Sequence, residues 1–305
     1  MEIGKIIDHY INNYSSKIFM TKLSIEDKSA YLMYIYEYEK ELENFSETFL
    51  AYFPFYVRAS DYFIALDENF DLDEQLRTRS KAIRKKSTVV PTRKPEISGI
   101  YGELFLDFYL RIINAKKLIL TYANKRSFNT DNETTGPDNV VYYIDEDNKI
   151  NVCMCEAKFV GGASNAKKDL LEDVSGTPTK MGHVTTEYLN DYFQFIVEKG
   201  FNVDSSDLMI FQTFLSDLNL ELDNGNNFVQ ILINHNICVN FIFFAIFDSK
   251  KRTPEKLLEN YDEIYNRCEL NVKDIGIKNY KIEIVFVPTE NKTMTIKDEI
   301  EKAYE

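Results

Sequence analysis

The chain has 305 residues, of which 49 are acidic and 36 are basic, so its formal net charge is −13. This length suits one large domain or two smaller ones, and the hydrophobic content of 44% is typical of a globular protein and argues against a disordered chain. No apolar stretch approaches the roughly 18 residues of a membrane span, and residues 1–5 lack the apolar core of a secretory signal, so we expect a cytoplasmic protein with no membrane partner.

The N-terminal region, residues 1–76, is rich in aromatic residues and predicts mainly helical structure. Residues 29–42 combine helix-forming residues with bulky apolar ones, which favours a helix, and Pro54 interrupts the next apolar stretch. No residue spacing in this region indicates catalytic chemistry. We therefore expect it to be a structural or partner-binding region.

A strongly basic segment follows at residues 77–94, with eight Lys and Arg residues and no Asp or Glu. Even on an acidic protein, such a segment can contact nucleic-acid phosphates locally. Its densest part, Arg84, Lys85 and Lys86, therefore provides candidate DNA-binding residues. A solvated linker is the alternative interpretation.

A different pattern begins near residue 98. Ser98 is a suitable helix N-cap, and apolar residues recur at helical spacing over residues 100–112. Three strands are predicted next, and turn-prone residues 145–148 join the second and third into a β-hairpin. The strands cover residues 118–122, 140–144 and 150–155.

The rest of the chain alternates between helical and strand patterns. Helices are predicted near residues 164–174, 184–199, 207–222 and 254–270, and strands at residues 239–247 and 280–287, where Pro288 ends the last one. Helices before and after a group of strands favour an α/β fold. We divide the chain into residues 1–95, a mainly helical region that ends in the basic segment, and residues 96–305, an α/β domain.

Cysteine and histidine are too sparse to define a site by themselves. The four cysteines are too few for a disulfide scaffold, and Cys153 and Cys155 stand two apart, which is not the CxxC spacing of a zinc site. The three histidines show no i, i+4 pair, which argues against a His-based zinc site or triad. We expect reduced, mostly buried thiols.

Glu156 and Lys158 directly follow an apolar run that a buried strand would contain. Because successive side chains of a strand point to opposite faces, these two share one face and Ala157 points to the other. Burying an isolated carboxylate costs several kcal/mol unless it is paired or bound to a metal. Either the two residues are solvated at an exposed strand end, or Glu156 binds a divalent cation in a cleft.

Asp138 can supply a second carboxylate to such a cation, since it directly precedes the other strand of the hairpin. Two acidic oxygens, completed by waters and a substrate phosphate, suit Mg²⁺, for which Mn²⁺ is a possible substitute. The carbonyl of Ala157 is a further candidate ligand. Lys158 would then stabilise negative charge on the phosphate or help to orient a water.

Other polar residues are candidates for supporting roles. Glu103 lies near the start of a predicted helix, where it is either a third functional acid or a carboxylate favoured by the helix dipole. Lys167, Lys168 and Lys180 follow Lys158 in the chain and are candidates for phosphate contact, although a solvated helix face is the alternative for the first two. His183, in a loop rich in Gly and Thr, is a candidate general base.

The order of these residues resembles the PD-(D/E)xK nucleases, in which a helix with an acidic residue precedes a Pro-Asp and a strand, and Glu-x-Lys lies on the next strand. Here Gly102-Glu103, Pro137-Asp138 and Glu156-Ala157-Lys158 occur in that order. The stretches around them, followed by a helix, are similar in particular to the HamA family, the nuclease subunits of the Hachiman anti-phage defence system. The resemblance covers residues 96–290 in layout.

The resemblance implies a restriction-endonuclease-like fold, with a mixed central sheet flanked by helices, and Mg²⁺-dependent cleavage of DNA phosphodiesters. It implies that Asp138, Glu156 and Lys158 carry the metal-binding and catalytic roles, with Glu103 as an accessory acid. The implied partner is a HamB-like superfamily 2 helicase that restrains or releases the nuclease.

Two other functions agree with the same residues. A stand-alone restriction-type endonuclease would hold its own recognition elements in the long chain after the motif. A non-catalytic interaction protein could keep the nuclease fold as a scaffold, although such proteins usually lose one of the acids or the lysine. RNA is an alternative substrate, since its scissile phosphate is chemically similar.

Overall fold

The computed structural model describes residues 3–18, 21–28, 31–37, 42–57, 66–67, 69–86, 99–113, 118–123, 139–145, 147–190, 208–249, 254–289, 298 and 302. In residues 21–28, 31–37 and 118–123 the description covers the backbone alone.

A seven-stranded sheet forms the centre of the protein. In spatial order its strands are β1 (Thr21–Lys28), β2 (Tyr31–Glu37), β9 (Tyr280–Thr289), β8 (Cys238–Asp248), β5 (Ile150–Val160), β4 (Asn139–Ile144) and β3 (Leu118–Ala123). Two short strands, β6 (Gly176–Thr177) and β7 (Lys180–Met181), pair as a separate hairpin.

The sheet is mixed, with a parallel centre and antiparallel edges. Strands β2, β9, β8 and β5 run parallel, whereas β1 pairs antiparallel with β2 at one edge and β4 and β3 pair antiparallel at the other. Each outermost strand has a register irregularity, between Ser24 and Glu26 in β1 and between Leu118 and Leu120 in β3. The predicted hairpin of β4 and β5 is confirmed.

The middle of the sheet is mainly apolar on both faces. Every residue of β8 between its two ends is buried, as expected for a parallel strand that helices cover on both sides. Such a strand reads as a continuous apolar run, which is why its position could be predicted from the sequence.

Helices pack on both faces and produce three layers. One face carries α1 (Ile3–Ile18), α2 (Leu42–Val57), α3 (Leu72–Lys86) and α4 (Gly99–Phe108), which continues as a π-helical turn (Tyr109–Ile113). The other carries α5 (Ala163–Ser175), α6 (described over 186–190), α7 (Leu208–Asp223), α8 (Phe228–Asn234) and α9 (Pro254–Ile275). The predicted α/β fold with a mixed sheet flanked by helices is therefore confirmed.

Among the helices in the described ranges, none has the length and apolar character needed to cross a membrane.

The helix predicted over residues 29–42 is wrong. Residues Tyr31–Glu37 form strand β2, and the helix α2 begins at Leu42. The stretch is rich in tyrosine, which favours strands when a neighbouring strand is present. Strand β2 pairs with such a neighbour in β9, about 250 residues further along the chain. Local helix propensity does not contain this information.

Two smaller features also differ from the predictions. The first part of the basic segment, residues 77–86, belongs to α3 and is not a linker. Strand β9 continues through Pro288 to Thr289. The pairing of β9 with β2 ends at Phe286, so Pro288 lies where one side of the strand has no described partner, a position at which proline is tolerated.

The division of the chain at residue 95 stays a prediction. The core between the sheet and α1–α4 includes residues from both sides of that point, among them Tyr10, Phe53, Tyr101 and Phe244.

The expectation for the cysteines is confirmed, since all four are free thiols and Cys153, Cys155 and Cys268 are buried.

Candidate functional site

The alternation predicted for β5 is observed. Val152 and Met154 belong to the core on the α5 side of the sheet, whereas Cys155 and Ala157 belong to the core on the α4 side. Glu156 lies two and four residues after Met154 and Val152, so it shares their face of the strand, and its carboxylate is buried on the α5 side. Glu156 is 4% exposed, and a carboxylate buried to this extent requires a source of compensating charge or hydrogen bonds.

Helix α5 supplies part of that compensation. After β5 ends, α5 packs back across the same face of the sheet through a buried stripe that includes Ala166, Leu170 and Val174. Asp173 lies three residues after Leu170 and is therefore on this stripe, where it is 2% exposed. The helix thus presents an acid to the interior, opposite Glu156 and Lys158.

The β6–β7 hairpin returns the chain to the end of α5. Gly176 has a φ of +77°, and a Cβ at Gly182 would lie 2.5 Å from the backbone carbon of Ser175, so the two ends of the hairpin are in direct backbone contact. The amide of His183 donates to the carbonyl of Asp173 at 2.6 Å. This closure brings Lys180 and His183 to the buried acids.

Five side chains meet at this point and form what we refer to as the β5–α5 cluster: Glu156, Lys158, Asp173, Lys180 and His183. The amine of Lys158 lies 2.5 Å from Oδ2 of Asp173 and 4.0 Å from Oε2 of Glu156. The amine of Lys180 lies 2.6 Å from Oδ1 of Asp173. Nδ1 of His183 contacts Oε1 of Glu156 in a short hydrogen bond.

His183 is itself held in place by an aromatic ring. Its imidazole stacks on Tyr188, with ring centroids 4.3 Å apart and an interplanar angle of 21°, and it is 5% exposed. The orientation of the imidazole, and with it the contact to Glu156, is therefore fixed by packing as well as by hydrogen bonding.

The two acids of the cluster have pKa values shifted in opposite directions. Burial raises the pKa of Glu156 well above its usual range, and the negative charges of Asp173 and Glu103 raise it further. The positive charges of Lys158 and Lys180 lower this pKa but do not cancel the increase. Burial also raises the pKa of Asp173, but its ion pairs with Lys158 and Lys180 outweigh this effect and hold its pKa below the usual range. Asp173 therefore stays ionised, while Glu156 is a carboxylate whose charge would be favoured by an added cation.

The chain matches the family model of HamA over residues 8–303. The chain belongs to the HamA family. The match covers nearly the whole chain, including N-terminal residues that lie outside the resemblance noted over residues 96–290. Membership of this family places the protein in the Hachiman anti-phage defence system. No curated protein matches the chain.

Three of the cluster residues could hold a metal ion. Each of Glu156, Asp173 and His183 offers a ligand atom, and these atoms lie within 4.8 Å of one another. Within the part of the chain that the structure describes, these three are the Asp, Glu, His or Cys side chains whose ligand atoms lie this close together. Carboxylate oxygens suit Mg²⁺ and Mn²⁺, and the imidazole nitrogen also suits Mn²⁺.

Asp138 lies outside the described residues, so its predicted place beside Glu156 stays a prediction. Strand β4 begins at the next residue, Asn139, which pairs with Cys155 in the antiparallel ladder. Ala157 is 5% exposed and packs on the α4 side. The metal-binding role predicted for its carbonyl also stays a prediction.

Glu103 approaches the cluster from α4. A Cβ at Gly102 would lie 3.3 Å from the backbone carbon of Lys158, so this helix packs directly on the backbone of β5. The neighbouring Glu103 accepts a hydrogen bond of 3.0 Å from the hydroxyl of Tyr56. Its charge is one of the causes of the raised pKa of Glu156, which places this acid in electrostatic range of the site.

The predicted DNA-binding residues fall into three places. Lys180 belongs to the cluster and is half exposed. Lys167 is partly exposed and pairs with Glu263 of the neighbouring helix α9 at 3.0 Å, whereas Lys168 is exposed on α5 and pairs with Glu172 at 3.8 Å. Arg84, Lys85 and Lys86 lie at the C-terminal end of α3, and their side chains are outside the described part of the structure.

Asp173 was not predicted as a site residue from the sequence, and His183 was predicted as a general base, a role that stays a prediction. A signal for Asp173 was present, because an acid at a position of the apolar stripe of α5, three residues after Leu170, is unexpected unless it has a buried partner. His183 had no such signal, since its place depends on the closure of the β6–β7 hairpin.

Proposed function

We propose that the protein is a metal-dependent DNA endonuclease that acts as an effector of Hachiman defence. The observation that carries the proposal is the burial of Glu156 beside Lys158 in the second half of β5, where further charged groups converge on them. A carboxylate with a strongly raised pKa next to a lysine, on a central strand, is typical of a functional site. The order of these residues in a HamA chain agrees with this role.

The residues present fit a divalent cation. Glu156 is a buried carboxylate whose charge is incompletely compensated, which is the chemistry of a metal ligand. We propose that Glu156 and Asp138 are the protein ligands of Mg²⁺ or Mn²⁺, that the carbonyl of Ala157 is a further ligand, and that Glu103 is an accessory acid. When bound, such an ion lowers the pKa of a water and neutralises charge on a phosphate.

The remaining residues of the site would act on the substrate. Lys158 places an ammonium 4.0 Å from the carboxylate of Glu156, where it can stabilise the negative charge that develops on a scissile phosphate. Lys180 is half exposed, so it can contact a neighbouring phosphate of DNA at the rim of the site. Arg84, Lys85 and Lys86 would extend the contact to the backbone of the duplex.

The proposed partner is a HamB-like superfamily 2 helicase, because the Hachiman context supports a protein that acts within a multi-component system. The net charge of −13 is compatible with this proposal, since an acidic protein resists non-specific DNA binding until a partner brings it to DNA. Recovery of the helicase in a stable complex with the native protein would support the proposal, and cleavage of defined DNA sites by the purified chain alone would instead favour a stand-alone endonuclease.

The cleavage proposal is tested with purified full-length protein, with and without the helicase, on supercoiled and linear DNA. We expect cleavage with Mg²⁺ or Mn²⁺ and none in EDTA. The substitutions Asp138→Asn, Glu156→Gln and Lys158→Ala are each expected to lower the rate by about 10²-fold or more. Lys273→Ala is the control, because Lys273 is an exposed residue of α9 that pairs with Glu269.

Three results would contradict the proposal. Cleavage that survives chelation would reject the metal. Variants of Glu156 and Lys158 that cut as fast as the native protein would reject the assignment of the site. A native protein that does not cut DNA even with the helicase would favour the non-catalytic scaffold.

A further inference from the structure

We propose that Asp173 is a positioning residue that fixes the ammonium of Lys158 beside Glu156. The inference rests on the proposed function, because it assigns Lys158 a role in the reaction. It adds a residue that lies outside the Pro-Asp and Glu-x-Lys motifs, on the helix that follows them.

The first argument is the use of both carboxylate oxygens. Oδ2 of Asp173 lies 2.5 Å from the amine of Lys158, and Oδ1 lies 2.6 Å from the amine of Lys180. Asp173 therefore bridges two ammonium groups. A carboxylate with a cation on each oxygen is better suited to hold lysines than to accept a divalent metal ion, since the metal would be repelled by both ammonium groups.

The second argument is the flexibility of lysine. The side chain has four carbons and three rotatable donors, so its ammonium has no fixed position unless a partner supplies one. The contact of Lys158 with Glu156 is 4.0 Å, which is long, whereas that with Asp173 is 2.5 Å. The shorter contact determines where the amine lies.

The third argument is the rigidity of the anchor. Asp173 is 2% exposed and lies on the buried stripe of α5, and its carbonyl accepts the amide of His183. The helix on one side and the hairpin on the other therefore hold its carboxylate. A rigid anion is what an anchor for a flexible cation requires.

The test compares Asp173→Asn with the native protein and with Glu172→Gln. Glu172 is the adjacent residue of α5, and its carboxylate is partly exposed and pairs with Lys168, so its substitution removes the same charge without touching the cluster. Two quantities are measured on the full-length protein: kcat and KM for Mg²⁺-dependent DNA cleavage, and the rate at which an amine-reactive reagent labels Lys158, followed by peptide mass spectrometry.

We expect Asp173→Asn to lower kcat by about 10- to 100-fold while KM changes by less than about threefold, because misplacing a reacting group by about 1 Å has effects of this size. We expect the labelling of Lys158 to rise severalfold, since its amine is no longer held in the ion pair. Asp173→Glu, which keeps the charge, should restore most of the protection of Lys158. Glu172→Gln should match the native protein in both measurements.

The proposal is overturned if Asp173→Asn leaves the labelling of Lys158 unchanged, or if it changes KM and not kcat. If Asp173→Asn does not fold, the double variant Asp173→Asn/Lys158→Met should recover a cooperative unfolding transition, because it removes a partly buried ammonium that has lost its ion pair with Asp173. Failure to recover would also overturn the proposal. If the native protein does not cleave DNA but labelling still rises in Asp173→Asn, the anchoring of Lys158 stands and the proposed function fails.

Discussion

Glu156 is a buried acid on a mainly apolar strand, and the side chains around it show how the fold tolerates this. Nδ1 of His183 forms a hydrogen bond with one oxygen, and Lys158 lies 4.0 Å from the other. These contacts offset only part of the cost of burial, because the pKa of Glu156 stays well above its usual range. A residue that destabilises the fold in this way is more easily explained by function than by stability.

Loss of the imidazole of His183 should therefore be costly. We expect His183→Ala to lower the free energy of unfolding by about 1–3 kcal/mol, since it removes the hydrogen-bond partner that the described residues give to the buried carboxyl of Glu156. Urea unfolding measures this change. His235→Ala is the control, because His235 is exposed and lies 3.4 Å from Glu221, so we expect a change below about 0.5 kcal/mol. Equal effects of the two substitutions would show that the contact between His183 and Glu156 does not contribute to stability.

At the scale of elements, the β6–β7 hairpin assembles the site. It is short, yet it determines whether Lys180 and His183 reach the acids of β5 and α5, because the backbones at its two ends touch. The contact between Gly182 and the backbone of residues 174–176 leaves no space for a side chain.

Gly182→Ala should accordingly disrupt the cluster. The added Cβ would lie 2.5 Å from the backbone carbon of Ser175 and 2.6 Å from the amide nitrogen of Gly176, and backbone atoms cannot rotate away. We expect a loss of about 3 kcal/mol in the free energy of unfolding, at the upper end of the range for overpacking. Gly161→Ala, where a Cβ meets no atom within 4 Å, should leave stability within about 0.5 kcal/mol of the native protein. Similar unfolding curves for the two variants would contradict the close approach.

The elements also show what the sequence can and cannot predict. The strands β5 and β8, the hairpin of β4 and β5, and the start of α9 at Pro254 follow from local patterns, and all are observed. The strand β2 was mistaken for a helix because its partner β9 is distant in sequence. The pair Glu156 and Lys158 could be assigned to one face from alternation alone, whereas Asp173 and His183 join them through helix packing and loop closure, which periodicity does not encode.

At the scale of the whole molecule, the N-terminal residues are part of the main fold. Helices α1, α2 and α3 cover the face of the sheet that includes Ile242 and Val285, and β2 pairs with β9. The β5–α5 cluster lies on the opposite face, so helices α1–α3 support the strand that carries Glu156 without contributing a described side chain to that cluster.

A fragment of residues 96–305 tests the predicted division of the chain. Without α1–α3 and β2, one apolar face of the sheet and one edge of β9 would be exposed to water. We expect the fragment to aggregate or to unfold without a cooperative transition, in contrast to the full chain, as measured by size-exclusion chromatography and thermal circular dichroism. A monomeric fragment with a sharp transition would support an independent domain at 96–305.

The irregular registers of β1 and β3 have a consequence for the behaviour of the protein at high concentration. These strands form the two edges of the sheet, and each is interrupted by a bulge-like shift. A bulge bends and twists an edge strand, so that its unpaired amides and carbonyls no longer form a straight template for a strand from another copy. The sheet therefore carries its own protection against fibre-like growth at both ends.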